Sequence, residues 1–446
     1  VRRLHAYINR ALIGFVSEEN GLWAFEYDSG WVESALSFDL SPALSRQALR
    51  IEDGGTTRPV QWYFENLLPE EALRVAIAKE AGIKDQEDAF ALLSYLGAES
   101  AGSLTLLPPV VAISEGGLRP LTDEELSRRI QELPRVTLSA GAPRRMSLAG
   151  AQHKLSVVMK DDLLYEPTGA TPSTHIVKPD HPDSSGYQAT VFNEFLTMRL
   201  AHVAGLKIPK VEMRHVPESI YLVERFDRRV DRKSLRTVVD VEAPEIERLH
   251  IIDGCQLLNK ARTFKYSGAT LSSLVSIIER TTNKVQTRIR LFTWLVFNIL
   301  LANDDCHLKN LSFFVRPDGI WLAPHYDLLS TGCYHFRALA HERADWDRVQ
   351  MVFELPGAKT FAEVTLDAIL AAGQFLGVPE SAARRIVSNV SSRVNREIEL
   401  LAKADQDAPI TNRPRWNGIE RRLFLVIQNI VFKDMLNRIN LKAAAP

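Results

Sequence analysis

The chain has 446 residues, 46% of them hydrophobic and 24% charged, with a net charge of −1. That length holds two or three domains and at least one substantial core, while the near-zero charge excludes a surface built as a whole to attract nucleic acid or anionic membrane. Three cysteines (Cys255, Cys306, Cys333) without framework spacing point to a reducing cytoplasmic setting. The first residues carry no apolar leader, and no apolar run approaches the ~20 residues of a membrane helix.

Taken in chain order, residues 1–110 read as a small α/β unit. Short strands are expected at 4–8, 11–16, 22–27 and around Leu36, separated by Gly, Asn and Asp turns. Helices follow around residues 62–69, where Pro69-Glu-Glu suits a first helical turn, and near 88–95. Thr122-Asp-Glu-Glu is an acidic helix start. From about 136 to 227 the pattern is strand-rich: hairpins at 155–165 and 210–223, a strand at 174–178, and an amphipathic helix at 191–204. After Asp227 the strands mostly stop and helical patterns dominate. Strands first and helices second suggest two lobes.

The most informative stretch is residues 301–314. The apolar segment 285–300, with Ile289, Phe292, Leu295, Val296 and Ile299 at helical spacing, reads as a buried helix and ends abruptly in Asn303, Asp304, Asp305, Cys306, His307 and Lys309. Arg316-Pro-Asp-Gly319 then turns a hairpin that leads to Asp327. Phosphoryl transfer needs an acid near the acceptor hydroxyl and oxygen ligands for Mg²⁺. Asp305 suits the first role, with Asn310 and Asp327 as the ligands. A solvated turn that uses Asn and Asp for backbone hydrogen bonds would carry the same residues.

Upstream, Lys178 closes a strand from which it could reach phosphates, and Glu194, near a helix start, could pair with it. The apolar strand leading into Glu224, Arg225, Phe226 and Asp227 could present backbone groups to an adenine edge. Ser147-Leu-Ala-Gly-Ala-Gln-His-Lys154 is a small-residue loop of the kind that approaches phosphates closely, although it is neither a Walker loop nor G-x-G-x-x-G. Arg144 and Arg145 form a basic context in which a phosphorylated Ser147 would pair well. Cys306, His307, Cys333 and His335 lack zinc spacing.

Together these stretches resemble the HipA family, serine/threonine-kinase toxins of bacterial toxin–antitoxin pairs. The resemblance rests on SLAGAQHKL (147–155), HIVKP (175–179), FNEFLTMRLA (192–201), YLVERFDR (221–228), NDDCHLKNLSFF (303–314) and PHYDLL (324–329), with WYFENLLPEE (62–71) and LLSYLGAESAGSLTL (92–106) further upstream. It covers essentially the whole chain. It implies an α+β, two-lobed protein-kinase-like fold: an N-terminal α/β subdomain (1–110), a strand-rich nucleotide lobe (111–226) and a helical C-lobe (227–446).

The resemblance further implies ATP and Mg²⁺, with Asp305 catalytic and Asn310 and Asp327 binding metal. Nucleotide contacts fall to Lys178, the backbone of Glu224 and Phe226, the loop Ala149, Gly150, Ala151 and Gln152, and His307 and Lys309. Ser147 falls on the family's autophosphorylated, inactivating serine. Cys306 stands where Gly or Arg is more familiar. Implied partners are a HipB-like helix-turn-helix antitoxin, operator DNA through that complex, and a protein substrate such as glutamyl-tRNA synthetase, with no membrane. Residues 380–446 add 12 Lys/Arg against 7 Asp/Glu, among them Arg384, Arg385, Arg413, Arg415, Arg421 and Arg422, a basic surface or a merely solvated one. A co-repressor with little catalysis and a small-molecule kinase of the same fold are the alternatives.

Overall fold

The structure, a computed structural model, describes residues 1–143, 146–238, 241–336, 339, 345–407 and 416–440. It divides into two compact units. The first comprises residues 1–179, 214–265 and 312–323, and the second comprises 180–213, 266–311 and 324–446. Residues 227–265 and 312–323 pack within the first unit.

The first unit opens with a five-stranded sheet in the order Arg50–Glu52, Leu22–Tyr27, Ala11–Glu19, Arg2–Ile8, Leu104–Leu107. Alternating burial along Arg2–Ile8 turns Leu4, Ala6 and Ile8 inward, as a sheet with one wet face requires. Leu36 is not in a strand; it stands exposed in a turn, and Arg50–Glu52 supplies the edge instead. Helices Pro59–Glu65, Glu71–Glu80 and Ala89–Leu96 follow, the last capped by Asp88, whose side chain accepts from the Ala91 N–H.

A six-stranded sheet then runs Val211–His215, Ser219–Glu224, His175–Pro179, Leu155–Lys160, Leu163–Thr168, Gly117–Pro120. Leu155, Val157, Val177, Ile220 and Leu222 from its central strands pack with Leu126 and Leu138 into one core cluster. Leu126 comes from the helix Asp123–Gln131, which Thr122 caps by accepting from the Glu125 N–H at 3.2 Å. The strands do not stop at Asp227. A long hairpin, Arg228–Val238 with Val241–Arg248, follows at once, and Ser312–Arg316 pairs on one side with Ile251–Asp253 and on the other with Gly319–Leu322. Charges on consecutive residues from Arg228 hide the hairpin's alternation. Arg316 pairs with Gly319 across the expected turn, where Gly319 takes φ +125°.

The second unit is mainly helical: Thr190–Ala204, Leu271–Arg280, Lys284–Leu300, Leu366–Phe375, Glu380–Asp407, Gly418–Val426 and Lys433–Asn440, with a short hairpin at Gln350–Leu355 and Ala358–Thr360. Thr190–Ala204 is not amphipathic as expected. It is buried on nearly every side, with Asn193, Glu194 and Thr197 inside, so its pattern reflects a core helix. Lys284–Leu300 begins at the Asn283 cap and buries Phe292, Trp294, Leu295, Val296 and Phe297.

Candidate active site

In the second unit, the buried helix Lys284–Leu300 delivers a loop held by its own polar groups and by Thr331, His335 and Tyr326. Asn298, on the last turn, accepts from the Asn303 side-chain amide at 2.7 Å, and Asn303 Oδ1 accepts the Asp305 N–H at 3.0 Å. The Asp304 N–H donates to Thr331 Oγ1 at 2.7 Å, and the Asp304 carboxylate meets His335 Nε2 at 2.9 Å. The Asp305 carbonyl accepts both the His307 N–H and the Asn310 side-chain amide at 2.8 Å. Lys309 is fixed through its carbonyl, which takes the Tyr326 hydroxyl at 2.8 Å. The result is a rigid main chain with the Asp305 side chain 48% exposed at its head.

Asp305, His307, Lys309 and Asn310 are therefore brought together. Asp304 shapes the loop. His325, one step before Tyr326, stacks on Trp294 with ring centres 6.1 Å apart, and burial with Arg290 nearby lowers it to about 3, so it stays neutral in the core. Asp327 takes a left-handed backbone, φ +57°, a conformation that Asp tolerates better than most residues and that clusters at functional sites. Cys306 is buried, and burial with Asp305 and Asp304 beside it pushes its thiol well up.

The donor set fits a hard cation. Asn310 spends its amide NH₂ on the Asp305 carbonyl, which leaves Oδ1 as the acceptor end of the group. One carboxylate, one amide oxygen and substrate phosphates are what Mg²⁺ takes in such sites. Among the described residues no cluster of three or more His, Cys, Asp or Glu could hold a metal ion alone.

Lys178, Glu224, Phe226, Ser147 and the loop Ala149–Gln152 lie in the first unit. Lys178 is buried and pairs in register with Tyr221, its ammonium 5.8 Å from that ring's centre. Glu194 is buried in the second unit. The Arg225 N–H donates to the Thr174 carbonyl at 2.9 Å, so alternation turns the main-chain groups of Glu224 to the other edge. Phe226 lies in the turn closed by Arg228 N–H on the Arg225 carbonyl, its ring edge-on to Phe314.

Ser147 is fully buried. Its N–H donates to the Glu99 carbonyl at 2.6 Å and its hydroxyl to the Leu67 carbonyl at 2.5 Å. Gly150, at φ +105°, accepts the Glu70 N–H at 3.2 Å, and Lys154 donates to the Ala149 carbonyl. Ala151 is exposed and Gln152 half-buried. Arg144, Arg145, Arg413 and Arg415 lie outside the described residues. Of the other basic residues, Arg384 pairs with Glu380 at 2.8 Å and Arg421 with Asp405 at 2.9 Å.

Two sets of residues escape sequence reasoning. One is Tyr266, whose hydroxyl donates to Asp305 Oδ1. The other is a buried charge cluster at the exit of the 219–224 strand. Glu99 accepts from Ser173 at 2.7 Å and Arg228 at 3.2 Å, and Arg225 bonds Asp227 through two nitrogens. Burial alone would raise the Asp227 carboxyl, but Arg225 and Arg228 override it and hold it at about 2. Burial and the neighbouring Arg225 bring Arg228 down to about 10. The density of charge in ERFDRR (224–229) is the available signal.

A family model of the HipA-like C-terminal domain matches residues 146–398, and one of the HipA N-terminal domain matches 4–107. The chain belongs to the HipA family. It is 32% identical over 329 residues to the serine/threonine-protein kinase toxin HipA of Shewanella oneidensis, covering 70% of this chain and 71% of that protein. It is 30% identical over 420 residues to the putative kinase Y4mE of Sinorhizobium fredii, covering 91% and 93%. The solved complex of Shewanella oneidensis MR-1 HipA with HipB and operator DNA matches with a TM-score of 0.78 at 26% identity, over 98% of this chain and 97% of that one. This HipA-family chain is accordingly a kinase with the family's α+β fold. No helix among its described residues is long and apolar enough to cross a membrane.

Proposed function

We propose that this HipA-family kinase is the toxin of a toxin–antitoxin pair and transfers phosphate from ATP to serine or threonine of a cytoplasmic translation protein, an aminoacyl-tRNA synthetase such as the glutamyl enzyme. The observation that carries this reading is the Asp305 carboxylate, half-exposed on a main chain locked by Asn303, Asn310 and Thr331. Such an acid receives the acceptor's hydroxyl proton without reorganising at the moment of transfer.

Residues 1–110 form the N-terminal subdomain, 111–226 the nucleotide segment and 227–446 the catalytic segment. Asn310 and Asp327 hold the metal. Mg²⁺, when bound, supplies charge neutralisation on the phosphates. Lys178 binds phosphate, and His307 and Lys309 contact the nucleotide. The main chain of Glu224 and Phe226 orients the base, and the loop Ala149–Gly150–Ala151–Gln152 approaches the phosphates through its N–H groups. Ser147 is the self-modification site. It must leave its buried position to be modified, because its hydroxyl is already spent on Leu67.

The solved relative was crystallised with HipB and operator DNA, which favours a helix-turn-helix antitoxin and autoregulation for this chain too. The test is transfer of labelled phosphate from ATP with Mg²⁺ to the protein itself and to proteins of a cell extract. Asp305→Ala is expected to lower transfer by at least ~10². Wild-type transfer equal to that of Asp305→Ala, or label entering only small solutes, overturns the reading.

A further inference from the structure

No sequence spacing singles out Tyr266, yet its hydroxyl donates to Asp305 Oδ1 from 39 residues upstream. We propose that Tyr266 is a positioning residue that selects the Asp305 rotamer receiving the acceptor hydroxyl. This rests on the reading of Asp305 as the acceptor-side acid.

Three features support it. Asp305 is 48% exposed at its side chain, so the carboxylate would exchange rotamers in water without a partner to fix it. A phenol O–H to a carboxylate is a charge-assisted bond, stronger than a neutral one. The tyrosine is itself anchored twice. Its ring stands edge-on to His307, with centroids 4.9 Å apart and planes at 79°. Its carbonyl accepts the Ala269 N–H at 2.8 Å, closing a turn that enters the helix Leu271–Arg280 through the Thr270 capping box.

That helix packs on Lys284–Leu300, the helix that delivers the Asp305 loop. Donor and acceptor therefore sit on the turn that enters one helix and the loop that leaves the other, and the two helices pack together. His307 Nε2, 3.9 Å from the same carboxylate oxygen, is beyond hydrogen-bond distance and serves as the ring's backstop.

The experiment uses the full chain, ATP with Mg²⁺, and cell extract as the acceptor source. It measures the transfer rate at saturating ATP and the ATP concentration for half that rate. Tyr266→Phe keeps the ring against His307 and removes only the hydroxyl. Its saturating rate is expected to fall about ten- to a hundredfold, the range of a hydrogen bond to a charged group. Half-saturating ATP should stay unchanged, and residual transfer in Asp305→Ala should not fall further when Tyr266→Phe is added.

A wild-type rate in Tyr266→Phe, with Asp305→Ala inactive, overturns this inference and leaves Asp305 in its role. An equal loss in the Asp305→Ala background makes Tyr266 merely structural and overturns it as well. A rate above wild type marks the hydroxyl as a block rather than a guide, again against the proposal. Full activity in Asp305→Ala, or none in wild type, overturns both readings.

Discussion

Replacing Ser147 by a charged residue should expel the loop that carries it. Three hydrogen bonds dock the loop on the N-terminal segment: Ser147 N–H to Glu99 carbonyl at 2.6 Å, Ser147 hydroxyl to Leu67 carbonyl at 2.5 Å, and Glu70 N–H to Gly150 carbonyl at 3.2 Å. At about 1 kcal/mol net each, they favour the docked state by about 3 kcal/mol, an open population near one in ~150. Ser147→Ala removes one of them, about 1 kcal/mol, and should raise opening roughly fivefold. Ser147→Glu is different in kind. It turns a carboxylate toward carbonyl oxygens at a fully buried position, and the desolvation of an ion there is several kcal/mol. That exceeds the ~2 kcal/mol the two remaining bonds supply, so the open state should dominate. Phosphate at the same oxygen carries more charge and acts in the same direction. Hydrogen exchange at the Glu70 amide, whose own residue is unaltered, reads the opening. Exchange in Ser147→Glu should be at least ~10² faster than in wild type, and in Ser147→Ala only severalfold faster. Unchanged protection in Ser147→Glu, or equal effects of the two substitutions, would refute the docking argument.

Acid should weaken the first unit through His250. Burial holds its imidazole at about 4, against 6.5 for an ordinary histidine. The Leu40 carbonyl at 3.1 Å from Nε2 can only accept, so that nitrogen carries the proton, and Nδ1 accepts from Ser103 at 3.0 Å. The neutral ring's contribution is fully present above pH ~6.5 and is lost as pH falls toward 4, up to about 3 kcal/mol. Urea unfolding should show about 2 kcal/mol of that loss between pH 7.5 and 5, and His250→Gln should shrink it. Arg225→Ala leaves Glu99 and Asp227 buried with fewer partners and should cost about 3–5 kcal/mol, read as a lower unfolding midpoint. Asn310→Ala should raise the Mg²⁺ concentration for half-maximal transfer by at least about tenfold; an unchanged Mg²⁺ dependence would remove Asn310 from the metal site.

Much of the candidate site loop was legible because its signals are local. An apolar run at helical spacing, a Pro-Asp-Gly turn and the order Asp305, Asn310, Asp327 are properties of neighbouring residues, and the structure reproduces the helix Lys284–Leu300 and the hairpin Ser312–Arg316 with Gly319–Leu322. The hairpin after Asp227 was not legible, since charged residues at consecutive positions from Arg228 erase the two-residue period. The helix Thr190–Ala204 misled for the opposite reason: polar residues that look like a wet face are buried and hydrogen-bonded, as Asn193 is to the Ser330 main chain.

The sequence by itself determined the family, the kinase chemistry and the order of the loop residues, because each depends on residue identity at short spacing. Tertiary structure alone decided which groups orient them. Tyr266 reaches Asp305 across 39 positions, Arg225 reaches Glu99 across 126, and Ser147 reaches Leu67 across 80. These pairings exist only once packed helices and sheets close the intervening chain. A side-chain hydrogen bond is felt over about 3 Å of space and carries no period along a sequence.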